Sequence, residues 1–189
     1  MQTLIEKFRL FGIDEREAIK LASIFSTQIT LNKNEFLLKE NSVCKQLGFV
    51  TEGMCRYYYI NDNGDEVTRW VSLENEFTFS LGSFIRQIRT HENIQAIKPT
   101  KILVAEKQDW DAFCRENEYA RLFWTIAIEE YLIDIEARVY SLIALNAKNR
   151  YENLKQNYPK LVRDVPDKYL ASILGVKPRH LSRLRADPK

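Results

Sequence analysis

The sequence has little of the chemistry that metal sites and secreted domains need. It contains two histidines, His91 and His180, and three cysteines among 189 residues. The cysteines, Cys44, Cys55 and Cys114, are widely spaced and form no CxxC motif, which argues against zinc, iron–sulfur clusters and a disulfide framework. We therefore expect free thiols in a reducing compartment, the cytoplasm.

The chain also lacks a long hydrophobic run. Glu6, Lys7 and Arg9 lie within the apolar stretch at its start, and no later segment is apolar over the length that a bilayer requires. Internal repeats and low-complexity linkers are absent as well. These features predict a globular protein of the cytoplasm that does not use a membrane as a partner.

Sequence motifs of the common enzyme classes are missing. The chain contains no GxSxG motif, P-loop or dinucleotide-binding fingerprint. A metal-dependent jelly-roll oxygenase or isomerase, the enzyme alternative for a β-roll, would need several histidines or a histidine–carboxylate cluster. The sequence therefore predicts no catalytic residue, no bound metal and no cofactor, and the protein is not expected to be an enzyme.

Charge is distributed unevenly along the chain. Residues 148–189 carry 11 Lys/Arg and 4 Asp/Glu, a net charge of +7, whereas residues 1–147 carry 17 and 22, a net charge of −5. An acidic body with a basic end favours nucleic acid as the partner of that end. The alternative, a basic patch on a membrane surface, would be expected on one long amphipathic helix.

The first part of the chain changes from a helical to a strand-rich pattern. Residues 3–28 have helical spacing, with Asp14 as a candidate helix cap. Residues 30–106 contain short runs of Val, Ile, Phe, Tyr and Thr that are broken by turn residues, and the turn at Asn63-Gly64 predicts a β-hairpin. These closely spaced strands predict a compact antiparallel roll, interrupted by one or two helical turns at residues 80–89.

A long helix is predicted at about Tyr119 to Lys148, after a short helix at Lys107–Arg115. It has two apolar stripes, of which the roll can cover one. The second stripe predicts a symmetric dimer through the same helix of another copy, whereas the alternative is that one chain covers both faces. The expected dimer contacts are Leu122, Ile126, Ile133 and Tyr140.

The last stretch, residues 165–189, predicts two short helices joined by a tight turn. Asp167 is suited to cap the first helix, Gly175 to end it, and Pro178 to begin the second. The basic side chains of the second helix lie off its apolar stripe. A short helix-turn-helix of this kind is a standard device for entering the DNA major groove. The alternative is an ordinary helical hairpin with a solvated basic face.

The order of these elements resembles the Crp/Fnr family of bacterial transcription regulators. The resemblance covers nearly the whole chain and is sharpest at residues 169–176 (YLASILGV) and 181–185 (LSRLR). The stretches EVTRW (66–70) and ENEF (74–77) also resemble a branch of that family common in Bacteroidetes.

The resemblance implies an α+β fold in three parts. Residues 1–116 would form the sensor domain, an N-terminal antiparallel β-roll (a double-stranded β-helix of the cyclic-nucleotide-binding type) with flanking helices. Residues 117–148 would form a long dimerisation helix. Residues 149–189 would form a winged-helix-type helix-turn-helix domain that binds DNA.

The function that the resemblance implies is sequence-specific regulation of transcription by a homodimer on a near-palindromic site of double-stranded DNA, with RNA polymerase as a further partner. Arg183 is expected to contact a guanine, because its guanidinium fork matches O6 and N7 together. Lys148, Arg150 and Lys160 are expected to add general attraction to phosphates. The candidate DNA-binding residues are Lys177, Arg179, His180, Ser182, Arg183 and Arg185.

The sensor domain departs from the family pattern at its ligand pocket. Cyclic-nucleotide binders of this fold use a Gly-Glu pair for the ribose and an Arg-Ser or Arg-Thr pair for the cyclic phosphate. In this chain the corresponding positions fall at about residues 79–81 and 90–91, and neither pair is present. The candidate pocket residues are Phe79, Ser80, Leu81, Arg86, Arg89, Thr90 and His91.

A buried phosphate without its cation costs several kcal/mol, so cyclic AMP is not expected to be the effector. Another small molecule, or none, is expected in its place. A second function stays open: a sensor of a cyclic nucleotide or another small molecule that acts through a protein partner instead of DNA. The short C-terminus after Arg185, which ends the second helix near Pro188, favours that alternative.

Overall fold

Two short helices begin the chain in the computed structural model, which describes residues 1–186. They are α1 (Gln2–Leu10) and α2 (Glu15–Ser23). The turn between them contains Gly12 with a φ of +78°, a conformation that favours glycine. Asp14 caps α2, since its Oδ1 accepts a hydrogen bond of 3.1 Å from the Glu17 N–H. The predicted cap is confirmed. The predicted helical stretch 3–28 is confirmed for most of its length, but a turn divides it into α1 and α2 and its last residues begin β1.

Eight strands follow and form two four-stranded antiparallel sheets, with the strand orders β1-β8-β3-β6 and β2-β7-β4-β5. The first strand pairs with the last, from Thr27 opposite Val104 to Leu31 opposite Thr100, so residues distant in sequence close the roll. The predicted antiparallel roll is confirmed. Its strands are β1 (Thr27–Leu31), β2 (Phe36–Leu38), β3 (Gln46–Glu52), β4 (Cys55–Ile60), β5 (Glu66–Ser72), β6 (Phe77–Thr78), β7 (Asn93–Ala96) and β8 (Thr100–Glu106).

The predicted hairpin joins β4 to β5. Gly64 has a φ of +83°, and the Asn61 side-chain oxygen accepts hydrogen bonds from the N–H groups of Asn63 (3.0 Å) and Asp65 (2.8 Å). This turn sets the register, with Ile60 opposite Glu66. The predicted helical turns at residues 80–89 are the short helix α3 (Leu81–Arg86), between β6 and β7.

Aromatic side chains from both ends of the roll domain form its main core. Phe8 of α1 and Phe25, which lies before β1, meet Phe77 of β6 with ring centres 5.9 and 6.1 Å apart. Phe123 packs edge-on to Phe8 at 4.8 Å, and Trp110 lies 6.0 Å from Phe123. All of these rings except the partly exposed Phe77 are fully buried, so the helices on either side of the strands share one core with the roll.

Six helices follow the roll: α4 (Lys107–Glu116), α5 (Glu118–Ala144), α6 (Ala147–Asn157), α7 (Pro159–Asp164), α8 (Asp167–Ile173) and α9 (Pro178–Ala186). The long helix ends at Ala144, four residues before the predicted Lys148, because Asn146 begins a new helix by accepting the Asn149 N–H at 2.9 Å. Pro159 starts α7 at its first position, as its missing N–H allows.

The C-terminal helices dock on the roll instead of standing apart from it. Leu170 and Ile173 of α8 share a second core with Met54, Val71 and Leu73 of the roll. Two hydrogen bonds cross this contact: the Thr68 N–H donates to Ser172 Oγ (2.8 Å), and Ser172 Oγ–H donates to the Thr68 carbonyl (3.3 Å).

Helices α8 and α9 are joined by the predicted turn. Gly175 has a φ of +65° and its N–H donates to the Ser172 carbonyl at 3.0 Å, which ends α8. Asp167 does not cap α8 as expected. It is the first helical residue after Pro166, and its carboxylate pairs with Arg185 at 2.8 Å.

All strands within residues 1–186 precede Lys107. A winged-helix domain carries a small β-hairpin, the wing, beside its helices, and the expected wing has no strand in this range. The predicted end of the second helix near Pro188 lies outside the described residues.

Candidate functional site

A cavity of about 360 Å³ opens between the roll and the long helix, and we call it the roll cavity. The segment from Ser80 to Glu92 forms one wall, β4 and β5 contribute Tyr59 and Arg69, and α5 closes it with Tyr131 and Ile135. The cavity therefore lies between the long helix and the residues at which the resemblance implies a ligand pocket.

Two candidate pocket residues, one from each stretch where the resemblance implies the ionic groups of a cyclic-nucleotide site, are joined to each other. Ser80 and Thr90 are 4% and 5% exposed, and their side-chain oxygens share a hydrogen bond of 3.1 Å. Neither side chain carries a charge. This pair holds the segment around α3 together and provides no counter-charge for a phosphate.

The buried charges of the roll cavity belong to Arg69 and Glu92. Arg69 Nε donates to Glu92 Oε2 at 2.6 Å, and the guanidinium lies 4.7 Å from the centre of the Tyr57 ring. Burial lowers the pKa of Arg69, but the attraction of Glu92 outweighs it and raises that pKa above its ordinary value. The cation is therefore neutralised inside the protein.

The structure brings five of the seven candidate pocket residues to this one cavity: Ser80, Leu81, Arg89, Thr90 and His91. Phe79 lies instead against Phe84 and Trp124, with ring centres 5.4 and 5.9 Å away. Arg86 is the exposed last residue of α3 and does not line the roll cavity.

Sequence reasoning missed Arg69, Glu92 and Tyr131 as lining residues. Arg69 and Tyr131 are 62 positions apart, on a strand and on the long helix, so no local pattern joins them. The alternation of β5 gave no signal either, because its burial pattern is irregular and its register with β4 shifts between Thr68 and Trp70.

The C-terminal basic residues lie on the exposed side of α9 and of the turn before it. Lys177, Arg179, His180, Ser182 and Arg183 are all exposed, whereas Leu181 is fully buried against α8. Arg185 differs from them, because it pairs with Asp167 (2.8 Å) and donates to the Val162 carbonyl (3.0 Å).

Of the three more distant cations, one points into the protein and two lie at its surface. Arg150 is partly buried and points inward, with Nε donating to the Leu174 carbonyl (2.9 Å) and Nη1 to the Leu145 carbonyl (2.7 Å). These contacts hold Arg150 inward, contrary to the expectation that it adds general attraction to DNA phosphates. Lys148 and Lys160 are exposed.

One face of helix α5 packs against the roll, and the other is exposed to solvent in the single chain. Trp124, Tyr131 and Ile135 face the roll and belong to the apolar stripe that the roll covers. Of the four expected dimer contacts, Leu122 is 48%, Ile133 64% and Tyr140 61% exposed, and Ile126 is half-buried. One chain thus covers only one of the two apolar stripes.

Two features that residues 1–186 lack bear on other functions. No helix in this range is long and apolar enough to cross a membrane. No group of three or more His, Cys, Asp or Glu side chains is placed to hold a metal ion within the same range.

Comparisons with known proteins agree with the fold. Residues 28–117 match the family model of the cyclic nucleotide-binding domain. No curated protein sequence matches the chain.

Solved structures of several bacterial regulators resemble most of the chain at low sequence identity. FixK2 from Bradyrhizobium japonicum has a TM-score of 0.70 at 16% identity, covering 85% of this chain and 82% of its own. A variant of CooA from Carboxydothermus hydrogenoformans has a TM-score of 0.70 at 18% identity, covering 87% and 78%. A Crp/Fnr-family transcriptional regulator from Eubacterium rectale has a TM-score of 0.65 at 16% identity, covering 86% and 79%. Residues 28–117 are thus a domain of the cyclic nucleotide-binding type, within a chain that has the fold of these regulators.

Proposed function

We propose that the protein is a sequence-specific DNA-binding transcriptional regulator of the Crp/Fnr type and that it acts as a homodimer in the cytoplasm. The exposed side of α9 carries the argument. Lys177, Arg179 and Arg183 are exposed there, and none of them pairs with a carboxylate within residues 1–186. Cations left without partners on one side of a short helix suit a polyanion such as DNA.

The support beneath α9 also fits this role. Leu181 packs against α8, and α8 is fixed to the roll through Leu170 and Ile173. A recognition helix reads base edges well only when its scaffold holds it in place. Arg185 is engaged with Asp167, so we assign it to positioning α9, and base contacts fall to Arg179 and Arg183, with Lys177, His180 and Ser182 as phosphate or base contacts.

The homodimer follows from the free stripe of α5. Leu122, Ile133 and Tyr140 would be covered by the same residues of a second copy related by a two-fold axis. Such a dimer would present two α9 helices to successive major grooves about 34 Å apart, on a near-palindromic site. RNA polymerase is the expected further partner on the same DNA.

Cyclic AMP does not fit the roll cavity as its effector. Ser80 and Thr90 stand where an anion site would need charged groups, and Arg69 is already neutralised by Glu92. A phosphate placed there would lose its hydration, and no unpaired buried cation would offset that cost. The effector is therefore another small molecule, or the protein works without one.

The test of DNA binding is selection of genomic fragments by the purified protein, followed by titration of the recovered site. We expect a palindrome with half-sites one helical turn apart. Arg183→Met should weaken binding to that site by roughly tenfold or more, because a bidentate guanine contact is worth about 1–3 kcal/mol. Arg16→Met on α2 is the matched control and should bind as the native protein does.

Binding that is sensitive to salt but blind to sequence would contradict the regulator proposal. Full retention of site affinity by Arg183→Met would contradict the assigned contact. A protein that selects no DNA but captures a protein partner, with Arg183→Met unaffected, would instead be a sensor acting through that partner.

The effector proposal is tested by calorimetric titration with cyclic AMP. We expect no binding at micromolar concentrations, for the electrostatic reason given above. Saturable micromolar binding of cyclic AMP would overturn it.

A further inference from the structure

A second cavity lies where the roll, the long helix and the C-terminal helices meet. It has a volume of about 480 Å³, and we call it the junction cavity. Its walls come from β5, α5, α6 and the end of α8. Arg69, Tyr131 and Ile135 line it from one side and the roll cavity from the other. Its volume lies within the range of roughly 300–1,000 Å³ that small-molecule sites occupy.

Arg138 of α5 lines this cavity with few partners. Its Nη2 donates to the Ile173 carbonyl at 3.2 Å, and the guanidinium lies 5.2 Å from the centre of the Trp70 ring. In the described part of the chain it forms no ion pair with a carboxylate. A guanidinium has five N–H donors, so most of those of Arg138 are available to a ligand.

The surroundings of Arg138 disfavour its own charge. Burial, followed by repulsion from Arg69, lowers the pKa of Arg138 to about 10. A bound anion would offset both effects, because it supplies the opposite charge that the protein does not.

The other charges of the cavity leave a positive excess. Arg150 donates to two backbone carbonyls and has no carboxylate partner among residues 1–186, and Arg69 is neutralised by Glu92. Asp134 is the carboxylate of the lining, and its Oδ1 accepts a hydrogen bond of 2.9 Å from the Tyr158 hydroxyl. Two unpaired guanidinium groups therefore stand against one carboxylate.

The rest of the lining is largely apolar. Trp70 and Tyr158 meet edge to face, with ring centres 4.9 Å apart. Leu142 of α5 and Leu154 of α6 also line the cavity. Small-ligand sites combine such apolar walls with a few polar groups that orient the ligand. The cavity thus suits a molecule with one anionic and one apolar end.

We propose that the junction cavity binds a small organic oxyanion, a phosphate or a carboxylate with a ring-sized apolar part. The acidic group lies on Arg138 and Arg150, and the apolar part lies against Trp70, Tyr158 and Leu142. The stripe of α5 that would face a second copy points roughly the opposite way, so dimer formation leaves this site open.

A ligand in this site would affect the C-terminal helices, because the arginines of the site also donate hydrogen bonds to backbone carbonyls at the end of α8. Arg138 donates to the carbonyl of Ile173, the last residue of α8, and Arg150 donates to the carbonyl of Leu174, the residue that follows it. A ligand that recruits these guanidinium groups changes how the end of α8 is held, and with it the placement of α9. This inference goes beyond the proposed DNA binding and does not depend on it.

The test is calorimetric titration of the full chain with phenyl phosphate, benzoate and inorganic phosphate, in the absence of DNA. Phenyl phosphate or benzoate should bind more tightly than inorganic phosphate. Arg138→Met should weaken that binding by roughly tenfold or more, as expected when a hydrogen bond to a charged group is lost. Ser141→Phe, which fills the cavity and keeps Arg138, should weaken it to a similar extent.

Arg16→Met is the control for the loss of one exposed positive charge and should bind as the native chain does. Tighter binding of phenyl phosphate assigns a phosphate ligand, and tighter binding of benzoate assigns a carboxylate. Should Arg138→Met fail to fold by circular dichroism, Ser141→Phe decides. No binding of either ring compound at millimolar concentration, equal binding of inorganic phosphate, or full binding by Ser141→Phe would overturn the proposal.

Discussion

At the residue scale, burial decides which thiols can react. Cys44 and Cys55 are buried and Cys114 is partly buried. Burial raises the pKa of Cys55 to about 12 and that of Cys114 to about 11, and it also raises the pKa of Cys44. Since the thiolate is the reactive form, these cysteines behave as small core residues and not as redox sensors.

This predicts slow reaction of the native protein with a chromogenic disulfide reagent at pH 7.5, and reaction of all three thiols in denaturant. The reaction of the partly exposed Cys114 should accelerate as the pH rises, because its thiolate fraction increases towards pH 11. A rapid burst of one full equivalent in the native protein at pH 7.5 would contradict the assigned burial.

At the element scale, α5 organises the molecule because both of its faces are apolar. One face closes the roll core through Phe123 and Trp124 and lines both cavities through Tyr131. The other exposes Ile133 and Tyr140 to solvent in the single chain. An apolar stripe of this length on an isolated helix calls for a second surface to cover it.

We expect Ile133→Asp to convert the dimer to a monomer, because it would bury two carboxylates at a two-fold contact. Sedimentation velocity at matched concentrations measures the change. Ile19→Asp provides the control, since Ile19 is 50% exposed on α2, outside the proposed interface. A native chain that sediments as a monomer, or an Ile133→Asp variant that remains dimeric, would show that this stripe is not the interface.

At the scale of the whole molecule, the roll and the C-terminal helices share a core. Arg56 of β4 connects them further, since its guanidinium lies 4.0 Å from the Tyr58 ring centre and 4.8 Å from that of Tyr169 on α8. It also pairs with Glu66 at 2.6 Å. Contacts of this kind couple the two parts, so they are expected to unfold together.

Leu170→Ala tests that coupling, because Leu170 is fully buried in the shared core. We expect a loss of about 2–5 kcal/mol in the free energy of unfolding. Tryptophan fluorescence, which reports on the main core through Trp110 and Trp124 and on the contact between the two parts through Trp70, should show the same transition in denaturant as far-ultraviolet circular dichroism. Leu10→Ala should change stability little, since Leu10 is 81% exposed. Two separate transitions would show that the parts fold independently.

The sequence by itself determined what depends on near neighbours along the chain. Asn63-Gly64 specified the hairpin because the connection between Ile60 and Glu66 needs a residue with positive φ, and Gly64 adopts a φ of +83° at low cost. Asp14 specified the start of α2, and the spacing of Ile133 and Tyr140 specified a helix with a free apolar stripe. The missing charges at Ser80 and Thr90 could also be recognised before the structure, because they are a matter of residue type alone.

Only the tertiary structure decided which distant side chains meet. Arg69 and Glu92 are 23 residues apart, and Thr68 and Ser172 are 104 apart, so neither contact leaves a pattern in the sequence. The same holds for Arg150, which looks like a surface cation until its carbonyl partners are seen, and for Arg138, whose lack of a counter-charge depends on packing. Local propensity sets where helices and strands begin and end, whereas the burial of charge is a property of the assembled fold.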